Sequence, residues 1–168
     1  LGLGFSPVVL LVGPRQSGKT FLMKKLAEER DYSYSTFDNI LALATAQKDP
    51  VGFIDGLQKP AILDEVQRIP EIFLPIKADI DEHLVPGRYA LTGSANPLLV
   101  PKLGDSLAGR MVIYNLWPLS QGEILGTKER FVDFVFSDDL GPIRTIPFSR
   151  SELIDKIVVG GFPKMQTL

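Results

Sequence analysis

Short apolar runs alternate along this chain with longer segments that carry an apolar residue at every third or fourth position. This alternation predicts βαβ units built around a mostly parallel sheet. The run 8–12 is continuously apolar, as expected of a strand that is buried on both faces. The predicted strands cover 8–12, 34–37, 60–63, 89–92 and 111–116.

Apolar residues at helical spacing predict the helices that cover the sheet. The predicted segments are 19–30, 39–47, 70–83, a short helix that starts after Ser120 and ends at Gly126, and 149–159. Pro70 suits a first helical turn, and Pro75 is expected to bend the helix that follows. Asp38 is expected to cap the second helix, and Trp117 to anchor the last strand in the core.

Composition narrows the class of protein. The chain has 168 residues, of which 45% are hydrophobic, a net charge of −2 and no cysteine. It can therefore bury a core, it has no disulfides or thiolate metal sites, and nucleic-acid binding is unsupported. No apolar run is long enough to cross a bilayer, so we expect a cytoplasmic protein.

The character of the sequence changes near residue 126. Residues 1–126 are predicted to form one α/β domain, and residues 127–168 the beginning of a second, mostly helical domain. The chain lacks an initiator methionine and stops soon after Gly160-Gly161-Phe162-Pro163. We therefore expect it to be a segment of a longer protein.

The segment between the first strand and the first helix carries the strongest chemical signal. Its glycines let successive backbone N–H groups face one concavity, and the helix that follows directs its positive dipole end to the same place. Lys19 would reach the β- and γ-phosphates and Thr20 would hold Mg²⁺. The alternative is a plain glycine-rich turn. The predicted phosphate-binding residues are Gly13, Pro14, Arg15, Gln16, Ser17, Gly18, Lys19 and Thr20.

Two acids follow the third predicted strand. At the carboxyl end of that strand, Asp64 would lie at the sheet edge where open α/β sheets bind ligands, and would hold Mg²⁺ directly or through water. Glu65 would then orient the water that attacks the γ-phosphate. The alternative is that both acids solvate a strand end or cap a turn.

Two further segments carry candidates for catalysis. After the fourth strand, Ser94 or Asn96 could sense the γ-phosphate, or the segment could be a simple turn. Arg110 could neutralise transition-state charge in its own site or in that of a neighbouring subunit, or be a solvated arginine at a strand start.

Taken together, these segments resemble a family of prokaryotic AAA-type ATPases of the AAA+ superfamily, in which the module precedes a C-terminal domain of unassigned function. The motifs that carry the resemblance are GPRQSGKT (13–20), ILDEVQRIPE (62–71), LTGSANPLL (91–99), SLAGRM (106–111) and LWPLSQGE (116–123). The resemblance covers about residues 6–125.

The resemblance implies a three-layer αβα sandwich with strand order 5-1-4-3-2, ATP and Mg²⁺ as ligands, and hydrolysis as the activity. Lys19 and Thr20 match the Walker A positions, Asp64 and Glu65 the Walker B positions, and residues 92–96 the sensor 1 region. Arg110 matches a recurrent Gly-Arg of the family. Pro75 departs from a helix that is more often unbroken in these proteins.

The leading hypothesis is an ATP hydrolase that couples its nucleotide state to its own C-terminal domain, as a monomer or a homo-oligomer. A second hypothesis is a switch that binds ATP with negligible turnover. A third is a small-molecule phosphotransferase, although we find no arginine-rich lid for one in the sequence.

Overall fold

The computed structural model describes residues 2–94, 107–137 and 149–167. They form two compact units, divided between Trp117 and Pro118.

The first unit contains a five-stranded sheet in which every pairing is parallel. The strand order is β2-β3-β4-β1-β5, which is the predicted 5-1-4-3-2 read from the other edge, so the predicted fold is confirmed. The strands are β1 (Val8–Gly13), β2 (Ser33–Thr36), β3 (Ala61–Asp64), β4 (Tyr89–Ser94) and β5 (Met111–Asn115).

Helices lie on both faces of the sheet, and alternate residues of the strands supply two separate cores. On one face, Leu11, Ile62 and Ala90 pack with Met23 of α1 (Lys19–Arg30). The other face packs against α2 (Ile40–Lys48), α3 (Pro50–Asp55) and α4 (Phe73–Glu82). Its buried members include Val8, Leu10, Leu63, Leu91, Ala46, Ile54, Ile76 and Ile80. The continuously apolar β1 is explained by this burial on both sides.

The helix predicted over 70–83 begins later than expected. Pro70–Ile72 form a 3₁₀ turn, and α4 starts at Phe73. Pro75 has no N–H to donate to the carbonyl of residue 71, and in the first turn of α4 that missing donor has no cost. The short helix α3 is not among the predicted elements; Asp49 caps it, and Pro50 is its first residue.

Two expectations about single residues are wrong. Asn39, not Asp38, caps α2, since its side chain accepts hydrogen bonds from the backbone N–H groups of Leu41 and Ala42. The Asp38 carboxylate instead pairs with Arg68. Trp117 is 68% exposed and anchors no core.

The described part of the second unit contains three short α-helices, which we number α5 (Gln121–Ile124), α6 (Phe131–Val135) and α7 (Arg150–Val159), and a 3₁₀ helix at Pro163–Thr167. The predicted capping box at Ser120 is present, and Ser149 forms another at the start of α7. No residue of α6 or α7 is buried. In the described parts of the chain, no helix has the length and apolarity needed to cross a membrane.

Candidate functional site

Three parallel strands bring the predicted site residues to one edge of the sheet. Gly13 at the end of β1 lies opposite Ser94 at the end of β4, and β3 ends beside β4 with Asp64. The strands are parallel, so the loops that leave their carboxyl ends share one side of the sheet.

The loop from Gly13 to Gly18 has a backbone that only particular residues can adopt. A Cβ atom on Gly13 would lie 2.2 Å from the carbonyl oxygen of Leu116, so a side chain there has no room. Gly18 has a φ of 101°, which L side chains rarely adopt. Gln16, at φ 67°, is also left-handed.

The loop ends at the N-terminus of α1, where backbone donors remain available. The first four N–H groups of a helix have no partner within the helix, and no side chain of the described residues caps α1. These donors and the helix dipole favour an anion at this position.

Lys19 is buried and folds back over the loop. Its Nζ donates to the carbonyl oxygens of Gly13 (3.0 Å) and Pro14 (2.8 Å). Burial lowers the pKa of Lys19 below its usual value, and the nearby Glu65 and Asp64 carboxylates oppose that shift. An anion bound in the loop would favour the charged ammonium in the same way.

The Ser17 hydroxyl is a buried polar group with no hydrogen-bond partner in the described part of the chain. Buried hydroxyls in folded proteins are nearly always paired. An unpaired one next to the uncapped N-terminus of α1 fits a site that is completed by phosphate oxygens.

Asp64 is buried and is the centre of a hydroxyl cluster. Its Oδ2 accepts from Thr20 Oγ1 (2.9 Å) and from the Tyr34 phenol (2.8 Å), and its Oδ1 accepts from Thr92 Oγ1. Burial and the bond to Asp64 raise the pKa of Tyr34, so this phenol stays a donor. Thr20 and Asp64 could together hold a divalent cation.

Glu65 has a left-handed backbone, with φ 62°. Its N–H donates to Thr92 Oγ1 (3.0 Å), and its carboxylate accepts from Gln67 Nε2. Gln67 Oε1 in turn accepts from the N–H of Ser94 (3.2 Å). The acid is thus held both at its backbone and at its side chain.

The structure brings most of the predicted site residues together. Around this edge lie the loop 13–20, the two acids and Ser94. Arg15 and Gln16 are exposed on the loop. Asn96 lies outside the described residues.

Arg110 is not brought to the site of its own chain. Its carbonyl accepts from Val8, the first residue of β1, and its guanidinium pairs with Asp81 at 2.8 Å. Gly13, the start of the loop, is five residues further along β1, about 16 Å away at the usual rise of a strand. A role in the same chain's site is therefore not supported by the geometry.

Sequence reasoning missed Tyr34 and Gln67. Tyr34 lies in a predicted strand, but its bond to Asp64 depends on β2 lying next to β3. Gln67 lies in the 3₁₀ turn Val66–Arg68, which no periodic pattern indicated. The available signal in the sequence was that Gln67, whose side-chain amide can donate and accept hydrogen bonds, stands two residues after Glu65.

The described residues contain no group of three or more His, Cys, Asp or Glu side chains that could hold a metal. A nucleotide-bound Mg²⁺ needs no such group, since it takes one or two protein ligands and the substrate phosphates. Thr20 and Asp64 fit that pattern.

Comparison with known proteins points to one family. Residues 5–125 match the family described as the AAA domain. Over 119 residues the chain is 36% identical to an uncharacterized protein of Mycobacterium tuberculosis and to one of Mycobacterium bovis. The match covers 71% of this chain and 27% of each relative, so the chain spans about a quarter of their length. Because the family match includes every strand and loop that forms the site, this chain belongs to the AAA domain family, whose members are nucleotide-binding proteins of the ATPase type.

Proposed function

We propose that this chain binds ATP with Mg²⁺ and hydrolyses the terminal phosphate. The observation that carries the proposal is the 2.9 Å hydrogen bond between Thr20, in the first turn of α1, and Asp64, at the end of β3. It joins the two groups expected to hold a nucleotide-bound metal at the mouth of an anion-binding loop.

Binding rests on the loop and on the N-terminus of α1. The backbone N–H groups, the Ser17 hydroxyl and the Lys19 ammonium would contact phosphate oxygens. Lys19 would exchange its bonds to the carbonyls of Gly13 and Pro14 for bonds to phosphate. Charged acceptors make the stronger bonds, which favours the exchange.

Hydrolysis rests on Glu65. Its carboxylate, next to Asp64, would accept a hydrogen bond from the attacking water and hold that water in line with the terminal phosphate. Mg²⁺ bound to the phosphates would offset the charge that develops on them. Ser94 lies at the same edge and would contact the terminal phosphate or the water.

We further propose that the nucleotide state acts on a domain that follows the ATPase module, since both relatives are much longer than this chain. Arg110 would then serve the nucleotide of a neighbouring subunit in a homo-oligomer, because the loop of its own chain lies at the opposite edge of the sheet.

The test measures ATP binding with a fluorescent nucleotide and phosphate release with Mg²⁺ for wild type, Lys19→Ala and Glu65→Gln. We expect Lys19→Ala to lose binding and hydrolysis, and Glu65→Gln to keep binding while phosphate release falls at least about 100-fold.

Matched controls are Lys25→Ala and Glu71→Gln, which make the same changes at exposed positions. Both should behave like wild type. Tight binding without phosphate release in the wild type would indicate a nucleotide switch, and consumption of ATP only with an added metabolite would indicate a phosphotransferase. Absence of binding would overturn the proposal.

A further inference from the structure

The side chain of Gln67 connects two parts of the candidate site that are far apart in sequence. Its amide nitrogen donates to Glu65 Oε2, and its amide oxygen accepts from the backbone N–H of Ser94 at 3.2 Å. One planar amide therefore links the carboxylate expected to orient water with the last residue of β4.

The end of β4 is shaped to admit this side chain. A Cβ atom on Gly93 would lie 3.3 Å from Gln67 Oε1, which is tighter than most contacts of a real Cβ. The glycine thus leaves room for the amide to reach the Ser94 N–H.

The backbone of Glu65 is held by a different group. Thr92 accepts from the Glu65 N–H, and the same hydroxyl donates to Asp64. These bonds fix where the Glu65 side chain begins, but a glutamate has three side-chain torsions beyond that point. In the described structure, the bond from Gln67 is the contact that restrains its carboxylate.

We infer that Gln67 is a positioning residue, which holds the Glu65 carboxylate in place and ties it to the main chain of Ser94. The water-orienting acid and the end of β4 then move as one unit, so a shift of either one on nucleotide binding is passed to the other. The effect on catalysis rests on the proposed function; the mechanical link does not.

The first experiment measures steady-state hydrolysis and ATP affinity of Gln67→Met, which keeps the side-chain length and removes both hydrogen bonds. We expect kcat to fall about 10- to 100-fold, because a misplacement of about 1 Å has that consequence. The Kd for ATP should stay within about two-fold of wild type, since no phosphate contact is removed.

Three further variants separate positioning from a merely structural role. Gln67→Glu keeps the shape but places a second carboxylate beside Glu65, and kcat should fall at least as far. Gln47→Met makes the same exchange on the exposed side of α2 and should change nothing. In a Glu65→Gln background, Gln67→Met should cause no additional loss of residual hydrolysis, because its effect passes through Glu65.

The second experiment needs no turnover. Backbone amide spectra of the ¹⁵N-labelled chain should show that Glu65→Gln shifts the Ser94 resonance in the presence of Gln67. The same substitution in the Gln67→Met background should leave that resonance in place.

A kcat of Gln67→Met within about two-fold of wild type, or an equal fold-loss in the Glu65→Gln background, would overturn the inference. If the wild type releases no phosphate, the hydrolase proposal fails, and the spectra alone decide the link. The link would then be refuted if Glu65→Gln does not shift the Ser94 resonance. It would also be refuted if the shift is equally large in the Gln67→Met background.

Discussion

At the scale of single residues, Gly13 shows how a side chain that is missing can define a site. The carbonyl of Leu116 approaches to 2.2 Å from where a Cβ would be placed, because Leu116 also donates its N–H to Val12. Gly13→Ala must push the loop away from this strand end.

We therefore expect Gly13→Ala to lower the free energy of unfolding by about 1 to 3 kcal/mol, the usual effect of overpacking, and to weaken ATP binding at least about ten-fold. Urea unfolding and nucleotide fluorescence measure the two effects. Gly4→Ala is the matched control, since a Cβ there meets nothing within 4 Å. Equal behaviour of the two variants would contradict this account of the loop.

Asp79 forms the most buried ion pair of the described residues. Its carboxylate receives two hydrogen bonds from Arg88 and one from the Tyr89 hydroxyl, and the two charged side chains are 10% and 15% exposed. Burial alone would raise the pKa of Asp79, but the bonds from Arg88 and Tyr89 bring it below the ordinary value. The pair thus adds stability wherever Asp79 is ionised in the unfolded chain.

Asp79→Asn should lower the free energy of unfolding by about 3 kcal/mol at neutral pH, because it leaves the Arg88 charge largely buried without its partner. The folded-state pKa is depressed, so this contribution is complete above about pH 4 and is lost as the pH falls through the lower folded value. Urea titrations between pH 7 and 2.5 should show wild type and variant converging at the acid end.

The control is Asp81→Asn, whose partner Arg110 makes an exposed pair with it, at 39% and 38% exposure. That pair should contribute less than about 1 kcal/mol at any pH. If Asp81→Asn lowers the free energy of unfolding as much as Asp79→Asn does, then solvent exposure does not determine how much these ion pairs stabilise the fold.

At the scale of elements, two substitutions test whether Asn39, and not the predicted Asp38, caps the N-terminus of α2. Asn39→Ala removes two hydrogen bonds to helix N–H groups and should cost about 1 kcal/mol. Asp38→Ala removes an exposed ion pair with Arg68 and should cost less. Thermal unfolding of the two variants compares them directly, and the reverse order would restore Asp38 as the cap.

The positions of the strands could be predicted because burial leaves a direct trace in composition, and their order because the motifs resemble those of a known family. The run of β1 is apolar on both faces, and the motifs at its end carry the family resemblance. The short helix α3 was missed because six residues are too few to show a period, although Asp49-Pro50 marks its start. Periodicity says little about elements of one or two turns.

Parts of the site were also beyond prediction, for a related reason. Lys19, Thr20, Asp64 and Glu65 stand in local motifs that sequence alone displays. The residues that bind them do not belong to such motifs. Tyr34 donates to Asp64 from the neighbouring strand, and Gln67 accepts from Ser94, which is 27 positions away in sequence. Trp117 was placed in the core from its hydrophobicity, which does not report exposure.

At the scale of the whole molecule, apolar burial is concentrated in the first unit. Among the residues that the structure describes, the buried hydrophobic ones all lie between Val8 and Leu107. Large apolar side chains of the second unit are exposed, among them Phe131, Phe136, Ile157 and Val158. Burial of this kind is the main source of stability.

We expect amide hydrogen exchange to divide the chain accordingly. Amides of β1, β3 and β4 should exchange only through global unfolding, and those of α6 and α7 at least about 100-fold faster, because few apolar contacts oppose their local opening. Mass spectrometry of labelled peptides measures both. Equal protection in the two units would show that the second has a stabilising core of its own.

The hydroxyl oxygen of Thr92 couples the two acids of the candidate site, so a substitution at this position affects both of them. The Thr92 hydroxyl accepts from the Glu65 N–H while donating to Asp64. Replacing threonine by valine, a change of almost no volume, would remove one hydrogen bond from Asp64, the proposed cation ligand, and one from Glu65, the acid proposed to orient water. Thr92→Val, which keeps the shape of this strand, should therefore lower the affinity for Mg²⁺ in the presence of ATP and slow turnover in the same variant.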